Sequence, residues 1–255
     1  MKSLSNITKF GVICMKITVL GKYGPFPAKG GATSSYLLEN KTLVAFEFGA
    51  GAYSKISAIT DINNISALVL SHFHFDHCSD VGVLCYALQR FFAEGKRDKL
   101  LDVYCPNDNS PLFEAIKNMR AFNIHIVSDG DKVKIGDLEF EFHAVNHPVP
   151  CLGFIATDGV SHFVYGGDSN ECENIDKMLA DADLALLDGG LLERDYAPNK
   201  PHLSVKRVAM HAKKFNVKTI ITHLNPEYQQ EEMQTEANSI YSGCIFAEEG
   251  KSYIV

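Results

Sequence analysis

Ser71-His72-Phe73-His74-Phe75-Asp76-His77 is the stretch that decides how this chain is read. His72, His74, Asp76 and His77 place four candidate metal ligands within six positions. Directly before them lies the apolar run Ala67-Leu68-Val69-Leu70, which reads as a buried strand. The ligands therefore follow a strand's carboxyl end, where a rigid element aims them. Imidazole and carboxylate together suit zinc, manganese or iron.

Further candidates follow downstream. His147 comes in Val145-Asn146-His147-Pro148, Asp168 in Gly166-Gly167-Asp168-Ser169, and His223 in Ile220-Ile221-Thr222-His223. Each ends, or nearly ends, a strand-like segment. One histidine at such a place is an ordinary polar residue. Several of them, joined to the His72–His77 cluster, predict a dinuclear metal site.

The rest of the chain has the same rhythm. Short apolar runs over 17–20, 35–38, 42–48, 67–70, 101–104, 131–135, 138–144, 153–157, 162–165, 183–187 and 217–222 read as strands. Lys134-Ile135-Gly136-Asp137-Leu138 reads as a hairpin turn. Helical spacing covers 79–92, 112–122, 172–180, 204–215 and 229–241, with Pro111 and Ser204 where helix starts are expected. Interleaved strands, helices and hairpins predict two mixed sheets packed together, with helices outside. No linker or repeat interrupts them, so residues 15–255 are expected to form a single domain. Residues 1–14 are expected to be an N-terminal extension, either a flexible segment or a misassigned start, because Met15-Lys16-Ile17-Thr18-Val19-Leu20 reads as a first core strand.

From about Met15 to Val255 the chain resembles the metallo-β-lactamase-fold hydrolases, whose most specific motif is matched by His72 to His77. It is most similar to the branch holding ribonuclease Z and the small phosphodiesterases related to it. His202-Leu203-Ser204, the helical pattern behind it, the run ending at His223, and Leu224-Asn225-Pro226 carry that likeness. Gly21-Lys22-Tyr23-Gly24-Pro25, Gly30-Gly31-Ala32-Thr33-Ser34 and His147-Pro148-Val149-Pro150-Cys151 echo a bacterial group of metal-dependent hydrolases within it.

The resemblance implies an α/β fold, an αββα sandwich of two mixed sheets flanked by helices. It implies two divalent ions, zinc before manganese or iron. His72, His74 and His147 would hold one ion, and Asp76, His77 and His223 the other. Asp168 would bridge them, since a carboxylate has two oxygens. Two ions roughly 3.5–4 Å apart lower the pKa of a shared water, which becomes the nucleophilic hydroxide. His202 is implied to act on the leaving group, so the catalytic set is Asp76, His202 and Asp188. Asp188 stands where ribonuclease Z relatives carry Glu, and this shorter side chain leaves its pairing with His202 open. Glu47 stands where the superfamily usually has the Asp of Asp-x-Gly, so a contact beside the metals must shift.

Other residues offer weaker signals. Gly30 to Ser34 is either a phosphate cradle or a plain glycine-rich turn. His125, His143, His162 and His211 have no motif support and read as structural or surface residues. Tyr23, Phe26 and Tyr196 are candidates to line a pocket. Cys78 reads as a small packing residue.

Composition narrows the function. The chain has 255 residues, 46% of them hydrophobic and 22% charged, as in an ordinary globular protein. No apolar run approaches the length of a membrane span, and the N-terminus is a poor signal peptide. Seven scattered cysteines without a Cys-x-x-Cys pair fit reduced thiols and a cytoplasmic location. A net charge of −7 without a basic stripe disfavours a large nucleic acid. The arm with which ribonuclease Z grasps tRNA usually lies between the motifs of His147 and Asp168, where only residues 148–167 stand here. The expected function is therefore hydrolysis of a small cyclic or nucleotide-like phosphodiester. The alternatives are a carbonyl-ester hydrolase (lactonase or thioesterase), a tRNA-processing ribonuclease Z, and a non-catalytic metal-binding sensor. No membrane partner is expected, and a homodimer is left open.

Overall fold

Met15, the expected start of the first strand, is completely buried. The computed structural model describes residues 14–255, so the expected extension lies, except for Cys14, outside the described residues. The strands are β1 (Lys16–Gly21), β2 (Ser35–Glu39), β3 (Leu43–Phe48), β4 (Ala67–Val69), β5 (Leu101–Cys105), β6 (Phe122–Ile126) and β7 (Lys132–Ile135). They continue as β8 (Leu138–Ala144), β9 (Leu152–Thr157), β10 (His162–Tyr165), β11 (Leu184–Asp188), β12 (Lys218–Thr222), β13 (Cys244–Phe246) and β14 (Ser252–Ile254). The helices are α1 (Ala52–Ser57), α2 (Phe75–Cys78), α3 (Val81–Ala93), α4 (Pro111–Lys117), α5 (Glu173–Leu179), α6 (Val205–Phe215) and α7 (Gln230–Asn238).

One seven-stranded sheet has the order β14-β1-β2-β3-β4-β5-β6, and the other β13-β12-β11-β10-β9-β8-β7. Both are mixed. β14, β1, β2 and β3 pair antiparallel, then β3 to β6 run parallel. β7 to β10 pair antiparallel, then β10 to β13 run parallel. Alternation along each strand sorts its residues between faces. In β2, Tyr36 and Leu38 join the core between the sheets, while Leu37 joins the cluster that includes Leu84 and Leu88 of α3. On the other side, Ala185 and Leu187 of β11 pack with Val205, Val208 and Ala209 of α6. The result is the αββα order. Aromatic rings fill its centre: Phe46 lies 4.9 Å from Tyr36, 5.3 Å from Phe154 and 5.0 Å from Tyr165, centroid to centroid. Such pairs contribute about 0.5–1.5 kcal/mol each beyond their burial.

The expected punctuation is visible. Ser110 accepts the Phe113 N–H and caps α4, with Pro111 in the first turn. Ser204 accepts the Arg207 N–H and caps α6. The hairpin pairs Ile135 with Leu138, and Gly136 takes the left-handed φ of 61° that the turn requires. One expected helix is corrected. The spacing of Leu112, Ile116, Met119 and Phe122 suggests a helix over 112–122, but α4 ends at Lys117 and Phe122 opens β6. There Leu101 to Cys105 offer a parallel partner for every residue of β6, and sheet pairing wins over local spacing. Among the described residues no helix is long and apolar enough to cross a membrane.

Candidate metal centre

β4, β8, β10, β11 and β12 all end at one rim of the sandwich. His74 is extended (φ −77°, ψ 150°) and precedes the single turn of α2, which carries Asp76 and His77. The chain therefore turns between His74 and Asp76 and sends its ligand types in two directions. His72, His74 and His147 each bring a nitrogen within 4.8 Å of the others. Asp76, His77, Asp168 and His223 form a second such set. Asp168 Oδ2 lies 3.2 Å from His77 Nε2, 3.2 Å from His223 Nε2 and 3.8 Å from His72 Nε2, so it reaches toward both sets. Every sequence-predicted ligand is thus in one place.

Their environment suits a cation. His72 Nε2, both nitrogens of His77 and His223 Nδ1 are buried without a hydrogen-bond partner. An unsatisfied buried polar atom costs about 1–3 kcal/mol, a cost that metal coordination removes. Burial, with help from neighbouring histidines, lowers the pKa of His72, His74 and His147, which favours the neutral, ligating imidazole. For Asp168 burial acts the other way, but His223, His77 and His72 outweigh it and hold the carboxyl well below its usual range. Asp76 is lowered too, because the His223 hydrogen bond at 3.0 Å and His77 overcome burial. His77 moves up despite burial, drawn by Asp168 and Glu47. The same carboxylates favour a divalent cation at its Nε2 side. The residues present therefore fit a pair of metal ions.

Glu47 shows how the longer side chain is accommodated. Its Oε1 accepts the Ser71 N–H at 2.9 Å, and its Oε2 lies 3.3 Å from His77 Nδ1. It reaches across from β3, with a left-handed φ of 53° at its own backbone, and steadies the ligand stretch at both ends.

His202 stands beside both donor sets, 4.8 Å from His223 and 5.7 Å from His147 between ring centroids. Its Nδ1 bonds Asp188 Oδ2 at 2.7 Å, so the shorter Asp reaches the histidine. Burial opposes its protonation, but Asp188 and then Asp168 raise its pKa to about 9. Asp168, Asp188, His202 and His223 also converge as a further donor group. However, the Asp188 carboxylate is already engaged by the Ser169 and Gly190 N–H groups as well as by His202. It is better placed to orient His202 than to ligate.

The glycine-rich segment resolves as a turn. Four of its five N–H groups are committed: Gly31 to Ala28 O, Ala32 to Glu249 Oε1, Thr33 to Ala50 O and Ser34 to Tyr23 O. Outside the site, His125 pairs with Asp102, His162 lies 4.0 Å from Asp183, and His211 pairs with Glu171 and Asp176. His143 lies 3.6 Å from Glu141 on β8. Cys78 is buried and donates to His74 O. Tyr23 packs partly against the α6 side, and Tyr196 bonds Asn170 beneath the Arg207 guanidinium. Phe26 is 47% exposed.

Sequence reasoning missed three contributors. Gly24 lies so close to His223 that a Cβ there would sit 2.0 Å from Nε2. Phe75, between His74 and Asp76, is 71% exposed. Asn170 is buried among loop carbonyls. Gly24 stood in a quoted motif, and Phe75 in the ligand stretch itself. Asn170 carried no signal beyond its closeness to Asp168.

An αββα sandwich with two His/Asp donor sets at its rim defines a metal-dependent hydrolase. Residues 49–223 match the family model described as the beta-lactamase superfamily domain, and the chain belongs to that family. The probable metallo-hydrolase YhfI of Bacillus subtilis is 27% identical over 233 residues, covering 91% of this chain and 96% of that protein. Its crystal structure superposes with a TM-score of 0.87 at 25% identity, over 94% of this chain and 99% of that one. A ribonuclease Z of Methanosarcina acetivorans is 24% identical over 297 residues, 92% of this chain and 96% of its own. The crystal structure of a diphosphatase from the PhnP family shares the fold, with a TM-score of 0.70 at 18% identity over 94% and 97% of the two chains.

Proposed function

We propose that this hydrolase is a phosphodiesterase for a small cyclic or nucleotide-like phosphodiester, working with two zinc ions. The observation that carries the reading is the His202–Asp188 pair beside both donor sets. His72, His74 and His147 would hold one ion, and Asp76, His77 and His223 the other, with Asp168 between. When bound, two such ions acidify water and polarise the phosphoryl oxygens. His202 supplies what the leaving alkoxide then needs. Asp188 fixes the Nδ1–H, so Nε2 faces outward and carries the proton to the departing oxygen. A lactone or thioester would not call for this histidine motif.

Two exposed rings stand next to site residues in the sequence. Phe75 adjoins Asp76, and Phe26 follows the Gly24 contact with His223. Both suit the flat base of a nucleotide-like substrate. Against tRNA processing stand the net charge of −7 and the segment 148–167, which contains only β9, β10 and their connections. No disulfide joins the described cysteines, which supports a reducing, cytoplasmic setting.

The test is a panel for the metal-loaded protein: cyclic nucleotides, p-nitrophenyl diesters, phosphomonoesters, lactones, thioesters, β-lactams and precursor tRNA. Small phosphodiesters should give the highest kcat/KM. Efficient 3′ trimming of precursor tRNA near physiological salt would overturn the proposal, as would faster turnover of a carbonyl ester. His202→Ala should keep both ions yet lose about 10²–10⁴-fold on a poor leaving group. The loss with p-nitrophenolate should be smaller. Equal losses on both would reject the acid role.

A further inference from the structure

We infer that Asn170 is a positioning residue that holds His202 in place; only the kinetic arm of its test rests on the phosphodiesterase reading. His202 stands at the end of an irregular segment that follows the short turn Glu193–Asp195. Pro198 and Pro201 have no N–H to stitch this segment to itself. The Lys200 N–H reaches Ala197 O at 2.9 Å, but the carbonyls of Pro198 and Lys200 need donors from elsewhere.

Asn170 provides them. It is 1% exposed and lies two positions after Asp168. Its Nδ2 faces Ala197 O at 3.3 Å, Pro198 O at 3.1 Å and Lys200 O at 2.5 Å. Its Oδ1 accepts the Tyr196 O–H at 2.7 Å and the Glu171 N–H at 2.6 Å. Its backbone N–H donates to Asn146 O at 2.9 Å, beside His147. One side chain thus fastens 196–200 to the rim that carries Asp168 and His147. The next carbonyl, Pro201 O, lies 3.3 Å from His147 Nδ1, and His202 follows directly.

The amide is specific to this task. It is the one short side chain that offers two N–H donors and an acceptor from a single planar group. A carboxylate at 170 would aim an oxygen at three carbonyl oxygens. An alanine would leave the Pro198 and Lys200 carbonyls without this donor and the segment without its anchor. Asp188 would still attract Nδ1 of His202, but the backbone that sets the ring's position would be free to shift. A displacement of about 1 Å in a reacting group costs on the order of 10²-fold in rate.

The experiment uses Asn170→Ala, with Asn170→Asp as the near-isosteric second variant, in the full metal-loaded chain. Hydrogen exchange of the peptide spanning 195–203 should quicken at least about tenfold, with the rest of the chain unchanged. Unchanged exchange there overturns the inference. So does loss of bound metal, which would make Asn170 a support of the metal centre. In kinetics, Asn170→Ala should lose about 10–100-fold in kcat on a phosphodiester with a poor leaving group and much less with p-nitrophenolate. Added to His202→Ala it should cost nothing further, because both act through one imidazole. Multiplying losses overturn the inference. If the wild-type chain cleaves no phosphodiester, the functional reading fails, and the exchange measurement still decides the role of Asn170.

Discussion

Replacing Gly24 by alanine adds one methyl group and should remove one metal ion. The new Cβ would lie 2.0 Å from His223 Nε2, 2.1 Å from Cε1 and 2.4 Å from Cδ2. An ordinary contact needs about 3.5 Å, so the ring must retreat by about 1.5 Å. It has nowhere to go without leaving its partners. Nε2 sits 3.0 Å from Asp76 Oδ2 and 3.2 Å from Asp168 Oδ2, and the His202 ring stacks on it at 4.8 Å. The loops cannot part easily either, because Leu224 N bonds Lys22 O at 2.8 Å and Gly24 N bonds Leu224 O at 3.3 Å. Gly24 is not among the glycines with a left-handed φ, so alanine brings no backbone strain and the contact alone acts. Metal–ligand distances tolerate about 0.2 Å. The ion held by His223 should therefore be lost first. Elemental analysis after reconstitution and dialysis should fall from close to two ions per chain to about one, and activity by about 10²-fold or more. Circular dichroism should show the fold intact. A Gly24→Ala protein that keeps both ions at wild-type affinity would refute the geometry.

Other expectations follow from the same neighbourhood and from one beyond it. Glu47→Gln keeps the shape but removes the charge beside His77 Nδ1. Metal affinity in a chelator competition should drop about 10–100-fold, and an unchanged affinity would show that the longer acid is a bystander. Asp168→Ala should lose most of both ions, and retention of both would remove it from the bridging position. His211 is raised despite burial by Glu171 and Asp176, which in turn hold Arg207 and Lys214. A raised folded pKa contributes stability that is fully present below about pH 6.5, the unfolded value. That stability disappears as pH rises through the folded value. The Tm gap between wild type and His211→Asn should be widest near pH 6 and shrink toward pH 9. A gap independent of pH would show that His211 acts by packing alone.

The sequence showed most of this fold because strands buried on both faces read as unbroken apolar runs, as in Leu184 to Leu187. It hid the elements whose identity comes from their neighbours. Cys244–Phe246 and Ser252–Ile254 have three residues each, too few for any period, and exist because β12 and β1 offer edges. For the same reason the helical spacing over 112–122 takes in Phe122, the first residue of β6, and 123–126 show no strand pattern of their own. The metal-site residues were legible by chemistry, since histidine and aspartate repeatedly ended buried strands. What surrounds them was not. The demand on Gly24 comes from a ring 199 positions away in sequence (223 − 24), and that on Asn170 from carbonyl oxygens that every residue possesses.

The closing strand of the first sheet has a consequence for how the chain is born. β14 pairs with β1 across almost the whole sequence, and Thr18 Oγ1 meets Ser252 Oγ at 2.7 Å over 234 positions. At about 5–20 residues per second of synthesis, the two strands emerge about 12–47 s apart. Through that interval one flank of β1 has no partner, a bare row of N–H and C=O groups that invites another nascent chain. Tyr253, the buried middle residue of β14, joins the core as the strand covers that edge.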